Sequence, residues 1–266
     1  MNPLLIALLC FAGLGLLFGV VLAVASKVFE VKTDERAEQI LACLPGANCG
    51  GCGYVGCSQL AEAIARGEAS PNACTASPHQ TALDIAAIMG IDPPGERVRM
   101  RAQVMCSGDF STARFKYEYD GASDCVAATQ LGGGTKLCLN GCIGFGTCAG
   151  KCAFHAISVE NGIAKVDYHK CVGCGTCVRS CPKGIIRLIP YQAVCWVGCM
   201  STSDAKTTNA QCKIGCISCR ICEKNCPFDA IHVENGRAVI DYSKCTGCGV
   251  CADKCPRKVI HKKTME

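Results

Sequence analysis

Cys216-Ile-Ser-Cys219-Arg-Ile-Cys222-Glu-Lys-Asn-Cys226-Pro227 is followed by Cys245-Thr-Gly-Cys248-Gly-Val-Cys251-Ala-Asp-Lys-Cys255-Pro256, and both segments have the pattern C-x2-C-x2-C-x3-C-P. Three closely spaced thiolates can bind one face of a 4Fe-4S cluster. The fourth thiolate is held away by the turn before proline, so it must reach a second cluster. The two segments therefore predict a pair of clusters with crossed ligands.

This crossing assigns eight ligands. One cluster would be bound by Cys216, Cys219, Cys222 and Cys255, and the other by Cys245, Cys248, Cys251 and Cys226. A structural zinc site is the alternative for any cysteine motif. Zinc needs only four ligands and no reciprocal second motif, so the pattern favours iron–sulfur clusters.

From residue 124 onwards the sequence repeats itself at a constant offset of 74 residues. Val159-Glu-Asn161-Gly162 recurs as Val233-Glu-Asn235-Gly236, and in each copy Asn-Gly between short apolar runs predicts a tight hairpin turn. A fixed period without gaps indicates a duplicated unit. We therefore predict two tandem bacterial-type ferredoxin modules of small α+β fold, each with two clusters.

The first copy departs from the pattern at one ligand. Phe145 stands where the second copy has Cys219, and Ala153 replaces the proline. Cys138, four residues before Cys142, is the available substitute. We expect the first module to bind one cluster through Cys138, Cys142, Cys148 and Cys181 and the other through Cys171, Cys174, Cys177 and Cys152.

A further motif precedes the modules, with the ligands Cys49, Cys52, Cys57 and Cys74 and the glycines that separate them. The spacing suits one more 4Fe-4S cluster, and the glycines let backbone N–H groups approach the cluster sulfurs. Gly51-Cys-Gly-Tyr-Val-Gly56 also matches a dinucleotide fingerprint. No strand precedes it and no βαβ unit follows, so we reject nucleotide binding.

These assignments use twenty of the 27 cysteines, and five clusters account for them. The remainder are Cys10, Cys43, Cys106, Cys125, Cys195, Cys199 and Cys212. A sixth cluster bound by Cys106, Cys125, Cys199 and Cys212 is one hypothesis, with Cys195 as a replacement member. Free buried thiols are the alternative, and Cys10 is expected to be a small buried hydrophobe.

The N-terminal segment from Leu4 to Ala25 has no charged side chain and is long enough to span a bilayer. No basic residue precedes it, which favours a transmembrane anchor over a cleaved signal peptide. Positive charge follows it at Lys27, Lys32 and Arg36. The positive-inside tendency therefore predicts a single-pass protein of the inner (cytoplasmic) membrane, with its cysteine-rich domains on the cytoplasmic side.

We predict five regions: a transmembrane anchor at 1–26, an N-terminal 4Fe-4S domain at 27–92, a connecting segment at 93–124, and ferredoxin modules at 125–190 and 191–266. Closely spaced thiols pair poorly with each other, which argues against a secreted disulfide scaffold. A net charge of +5 is too small to indicate a nucleic-acid partner. The basic C-terminal tail, from Arg257 to Lys263, is a candidate docking site for an acidic electron carrier.

Together the apolar N-terminal helix, the segment from Leu44 to Cys57 and the tandem modules resemble the B subunits of Rnf complexes over essentially the whole chain. The resemblance implies a membrane-bound, ion-translocating ferredoxin:NAD+ oxidoreductase. In it, this subunit would accept electrons from soluble reduced ferredoxin and pass them to the other membrane and peripheral subunits. The second interpretation is an electron-relay subunit of another membrane reductase, such as one that re-reduces a redox-sensing transcription factor.

The chain itself has no flavin-attachment or nicotinamide motif and no paired catalytic carboxylates. We therefore expect no complete active site on this subunit. One apolar helix without charged residues cannot conduct ions, so ion translocation would belong to partner subunits.

Overall fold

The computed structural model describes residues 3–28 and 34–263, with side chains described from residue 11 onwards. The expectations for the Cys10 side chain and for Lys32 lie outside these residues. The helices are α1 (Pro3–Val28), α2 (Glu35–Cys43), α3 (Cys57–Ala65), α4 (His79–Met89), α5 (Cys125–Gln130), α6 (Thr147–Gly150), α7 (Thr176–Ser180), α8 (Ala205–Gln211), α9 (Ile221–Lys224) and α10 (Val250–Asp253). The strands are β1 (Met100–Val104), β2 (Ile157–Glu160), β3 (Ile163–Val166), β4 (Ile186–Pro190), β5 (Cys195–Val197), β6 (Ile231–Glu234), β7 (Arg237–Ile240) and β8 (Ile260–Lys262).

Helix α1 is the apolar N-terminal helix that the sequence predicts. Its 26 residues carry one charged side chain, Lys27, in the last turn. The window Phe11–Val28 has a mean hydropathy of 2.1, and none of it is buried against the rest of the chain. A helix of this length extends over about 39 Å at 1.5 Å per residue, which exceeds the hydrocarbon thickness of a bilayer.

Helices α2, α3 and α4 form a small domain around Ile40, Leu60, Ile64 and Ile85, each of which is at most 1% exposed. Helix α2 begins after Asp34, whose carboxylate accepts a hydrogen bond from Arg36 N–H. Helix α4 ends at Gly90 in the left-handed conformation. These N- and C-terminal caps satisfy backbone groups that the helices leave unpaired. The domain thus has its own apolar core, to which Cys57 and Cys74 belong.

Each half of the remaining chain has two antiparallel strand pairs. In the first half β2 pairs with β3 and β1 with β4, and in the second half β6 pairs with β7 and β5 with β8. Asn161-Gly162 and Asn235-Gly236 have positive φ at both positions, as a type I′ turn requires. The predicted hairpins are confirmed. We refer to residues 100–190 as module 1 and residues 195–263 as module 2.

Strand β1 lies in the predicted connecting segment, 93–124, and pairs along its whole length with β4. Val104 faces Ile186, and in module 2 Val197 faces Ile260. Ile186 and Ile260 are equivalent at the repeat offset of 74 residues. Val104 and Val197 therefore occupy equivalent places, although they are 93 residues apart. Module 1 thus contains an insertion after β1 that module 2 lacks.

Candidate functional site

Module 2 brings together both predicted sets of thiols. Ring 2A consists of Cys216, Cys219, Cys222 and Cys255, which line one cavity of about 330 Å³. Ring 2B consists of Cys226, Cys245, Cys248 and Cys251, which line another of about 340 Å³. Helix α9, in the first C-x2-C-x2-C-x3-C-P segment, packs against helix α10, in the second. The structure thus groups the thiols of module 2 in the crossed arrangement that the spacing predicts.

In module 1, ring 1B consists of Cys152, Cys171, Cys174 and Cys177. Burial raises the pKa of Cys177 to about 12, and the neighbouring thiols of the other three ring members contribute to this rise. Backbone amides also reach the ring: Ala102 N–H donates to Cys171 Sγ at 3.3 Å and Ala156 N–H to Cys152 Sγ at 3.4 Å. These four thiols are the set expected from the sequence.

Ring 1A differs from the expected set by one residue. A cavity of about 380 Å³ is lined by Cys125, Cys142, Cys148 and Cys181, and Cys138 is not among its lining residues. Burial raises the pKa of Cys148 to about 12, and the thiols of Cys142, Cys125 and Cys181 raise it further. Cys125, at the start of α5, supplies the thiol that Phe145 lacks. Phe145 packs instead against the Tyr119 ring, with 5.2 Å between ring centroids.

Cys138 belongs to a different group, which lies between the two modules. The interface ring consists of Cys106, Cys138, Cys199 and Cys212, which line a cavity of about 430 Å³. Burial is the main cause of the raised pKa of Cys212, and the thiols of Cys106 and Cys138 add to it. A sixth group of four thiols thus does come together in the structure, but its fourth member is Cys138, where the hypothesis had Cys125.

The strand register explains this exchange. Cys199 follows Val197 by two residues, and Cys106 follows Val104 by two, so these cysteines are structural equivalents. Cys106 accepts a backbone hydrogen bond at 3.4 Å from Cys142 of ring 1A, and Cys199 accepts one at 3.4 Å from Cys216 of ring 2A. Cys138 and Cys212 are repeat partners. The interface ring therefore takes the same two positions from each module.

The N-terminal ring consists of Cys49, Cys52, Cys57 and Cys74. Burial raises the pKa of Cys49, and the thiols of Cys174, Cys74 and Cys52 raise it further. Cys57 and Cys74 share one apolar core, and Cys52 packs against it. The structure therefore places the four predicted residues in one neighbourhood, with Cys174 of ring 1B beside them.

The N-terminal ring contacts module 1 closely. Thr176 Oγ1 donates to the Cys49 carbonyl at 2.9 Å, and Arg179 Nη2 donates to the Gly50 carbonyl at 3.1 Å. A Cβ atom on Gly51 would lie 2.7 Å from the Cys174 carbonyl oxygen. Only glycine permits this approach, because any side chain would overlap the backbone of Cys174.

The chemistry of the rings fits iron–sulfur clusters better than single metal ions. Each ring presents four sulfur donors, and each of the four cavities is of similar size. Among the described residues, no three His, Cys, Asp or Glu side chains converge as a single metal ion requires. Thiols that surround a wider cavity are the donor set of a 4Fe-4S cluster, which would supply one-electron transfer at each ring.

Burial also favours the neutral form of the free ring thiols. It raises the pKa of Cys142 to about 11 and that of Cys199 to about 12, further above neutral pH than the pKa of an ordinary thiol. A bound cluster requires thiolates, and loading therefore releases protons.

Two described cysteines lie outside the rings. Cys43 is half-buried at the end of α2. Cys195 is 1% exposed and lines the cavity of ring 2B beside Cys251. The neighbouring Cys195 side chain and burial together raise the pKa of Cys251 above its ordinary value. Its proximity to Cys251 could not be read from the spacing, because Cys195 belongs to neither motif.

The basic C-terminal tail is divided between two environments. Arg257 Nη2 donates to the Cys212 carbonyl at 2.8 Å, and the half-buried His261 forms a hydrogen bond with Ser107 and has its pKa lowered by partial burial. Lys258 and Lys262 are exposed. Only part of the tail is therefore free to contact another molecule.

Comparisons with known families agree with the positions of the rings. Residues 44–76 match the FeS family of Fe-S cluster domains, residues 164–187 match the 4Fe-4S binding domain, and residues 215–260 match the 4Fe-4S dicluster domain. The three segments contain the N-terminal ring, three members of ring 1B and both rings of module 2.

Curated relatives extend the similarity to most of the chain. The B subunit of the Na(+)-translocating ferredoxin:NAD(+) oxidoreductase complex of Acetobacterium woodii is 44% identical over 92% of this chain and 74% of the relative. The B subunit of the ion-translocating oxidoreductase complex of Methanosarcina acetivorans is 38% identical over 88% of this chain and 89% of the relative. The B subunit of the proton-translocating ferredoxin:NAD(+) oxidoreductase complex of Clostridium ljungdahlii is 40% identical over 92% and 87%, respectively.

Proposed function

Because the chain belongs to the family of B subunits of ion-translocating ferredoxin:NAD(+) oxidoreductase complexes, we propose that it is the membrane-anchored subunit that accepts electrons from reduced ferredoxin. It would relay them to the other subunits of the complex. The observation that carries this proposal is the set of thiol rings, which follow one another from the N-terminal domain to module 2. The redox chemistry of NAD+ and the movement of ions would take place on partner subunits.

We propose one 4Fe-4S cluster in each ring, which makes six. The ligands are those of the N-terminal ring, rings 1A and 1B, the interface ring, and rings 2A and 2B. Support comes from the family matches, from the four similar cavities and from the burial of the thiols. The assignment gives Cys125 to ring 1A and Cys138 to the interface ring.

The proposed relay follows the contacts between neighbouring rings. Cys49 adjoins Cys174, which connects the N-terminal ring with ring 1B. Cys177 adjoins Cys148, which connects ring 1B with ring 1A. The amides of Cys142 and Cys216 donate to the interface ring and thereby connect it with rings 1A and 2A. Ring 2B completes the series within module 2.

The membrane anchor is part of the proposal. Helix α1 is apolar, and its exposed side chains from Phe11 to Val28 contact no other part of the described chain. A membrane would cover them. Lys27 at the end of α1 and Arg36 in α2 favour a cytoplasmic position for the rings by the positive-inside tendency.

Electron uptake by the purified chain tests the function. The full chain, isolated without oxygen in detergent, would be mixed with reduced ferredoxin in a stopped-flow instrument. We expect rapid oxidation of ferredoxin with bleaching of the chain's absorption near 400 nm, at a rate that falls as salt is added. Iron-loaded chain that takes no electrons from ferredoxin would overturn the proposed donor, and chain without iron would overturn the relay itself.

A further inference from the structure

Arg101 is a charged side chain in an unusual place. It is 0% exposed and lies on β1, where that strand faces module 2. Its Nη1 donates to Gln103 Oε1 at 2.8 Å and its Nη2 donates to the Ala193 carbonyl at 3.0 Å. Its Nε has no hydrogen-bond partner among the described residues. Both acceptors are neutral, so hydrogen bonding leaves the charge uncompensated.

Aromatic rings enclose the guanidinium group. Its central carbon lies 3.9 Å from the centroid of the Tyr168 ring and 5.5 Å from that of the Trp196 ring. None of the ion pairs in the described part of the chain includes Arg101. Buried charges in proteins are ordinarily paired, because removal from water is strongly unfavourable without a counterion. The guanidinium group therefore requires a source of negative charge nearby.

Two thiol rings would supply that negative charge once they hold 4Fe-4S clusters. Ala102, the next residue of β1, donates its N–H to Cys171 Sγ of ring 1B at 3.3 Å. On the other side, Ala193 precedes Cys195 by two residues, and Cys195 lines the cavity of ring 2B together with Cys251. Tyr242 lies beside this segment, and its hydroxyl donates to the Cys195 carbonyl at 3.2 Å. Arg101 thus lies between the two rings.

We infer that Arg101 is the shared countercharge of rings 1B and 2B and raises the reduction potential of the clusters that they would hold. Reduction adds one negative charge to a cluster, so a nearby cation stabilises the reduced form. A unit charge at about 10 Å in a medium of effective dielectric constant ~20 changes a one-electron equilibrium about tenfold. The inference rests on the proposed function, because it requires that both rings hold clusters.

The test is a redox titration of the full chain followed by EPR spectroscopy, with Arg101→Met, Arg101→Lys and Arg187→Gln variants. In Arg101→Met we expect two of the reduction steps to become about tenfold less favourable, which is about 59 mV for a one-electron couple. Arg101→Lys retains the charge and should restore most of the potential. Arg187 is an exposed arginine on β4, so its replacement should leave the steps within about twofold.

A second variant covers the case in which Arg101→Met does not fold. Trp196→Leu keeps the charge but opens one face of the guanidinium group to water, so the same two steps should shift in the same direction by a smaller amount. Loaded variants with unchanged potentials would overturn the role of Arg101 while leaving the relay intact. Wild-type chain without iron or EPR signals would instead overturn the proposed function.

Discussion

Replacing cysteines in pairs distinguishes the two possible ligand sets for module 1. Cys106 and Cys138 share the interface ring, whereas Cys148 belongs to ring 1A. Six clusters of four iron atoms give about 24 Fe per chain. Alanine cannot bind iron, so each single replacement should remove one cluster and leave about 20 Fe.

The double variants give opposite outcomes for the two ligand sets. Two ligands of one cluster act as a unit, so their effects are not additive. Cys106→Ala with Cys138→Ala should leave about 20 Fe, and Cys138→Ala with Cys148→Ala should leave about 16 Fe. The set expected from the spacing puts Cys138 with Cys148, and together with a sixth cluster at Cys106, Cys125, Cys199 and Cys212 it predicts these two values in reverse order.

The assay is iron and acid-labile sulfide per chain, measured on folded protein prepared without oxygen. Cys43→Ala is the matched control, because this half-buried cysteine lies outside every ring and its loss should leave about 24 Fe. The reversed order of the two double variants would refute the exchange of Cys125 and Cys138. A Cys106→Ala single variant with its full iron content would refute the interface cluster altogether.

Three further predictions concern other parts of the chain. Gly51→Ala should separate the N-terminal ring from ring 1B, because its Cβ would overlap the Cys174 backbone. Electron exchange between the two rings, monitored by rapid-freeze EPR, should slow at least tenfold. Gly95→Ala is the control, because its Cβ would meet no neighbouring atom, and it should have no effect. Cys195→Ala should keep about 24 Fe, because ring 2B has four thiols without it. Removal of residues 1–28 should move the protein from the membrane fraction to the soluble fraction with the same iron content.

Each of these predictions has an opposing result. Unchanged exchange kinetics in Gly51→Ala would mean that electrons do not pass between these two rings. A loss of about four Fe in Cys195→Ala would make Cys195 a ligand. Retention of the shortened chain in the membrane fraction would show that α1 is not the anchor.

Much of the site could be predicted because cluster ligands are constrained by local spacing. The motifs that contain Cys216 and Cys245 specify rings 2A and 2B within short loops, where the chain has few alternatives. The same is true of the N-terminal ring. The Asn-Gly hairpins were also predictable, since the backbone conformation of a two-residue turn selects these residue types.

The exchange of Cys125 and Cys138 could not be predicted for a physical reason. The sequence repeat aligns Cys199 with Cys125, but strand pairing makes Cys106 its equivalent, because β1 pairs with β4 as β5 pairs with β8. A pairing between distant strands leaves no signal in local spacing. The insertion after β1 also brings Ala113 into a bridge with Cys212, a contact across the modules that no periodicity indicates.

The buried position of Arg101 could not be predicted for the same reason. Its neighbours Tyr168, Ala193 and Trp196 come from two separate stretches of the chain, both distant in sequence from Arg101. Isolated arginines in a sequence are ordinarily surface residues, and only the packing of one module on the other buries this one.

Two thiols have a particular vulnerability. Among the cysteines of residues 34–263, Cys219 and Cys248 are the exposed ones, and each belongs to a different ring of module 2. Dissolved oxygen therefore reaches module 2 before the sheltered rings of module 1, where Cys125 replaces an exposed position. Damage by air should therefore begin at the clusters of module 2. A briefly aerated sample would lose the iron of module 2 while it retains the iron of module 1.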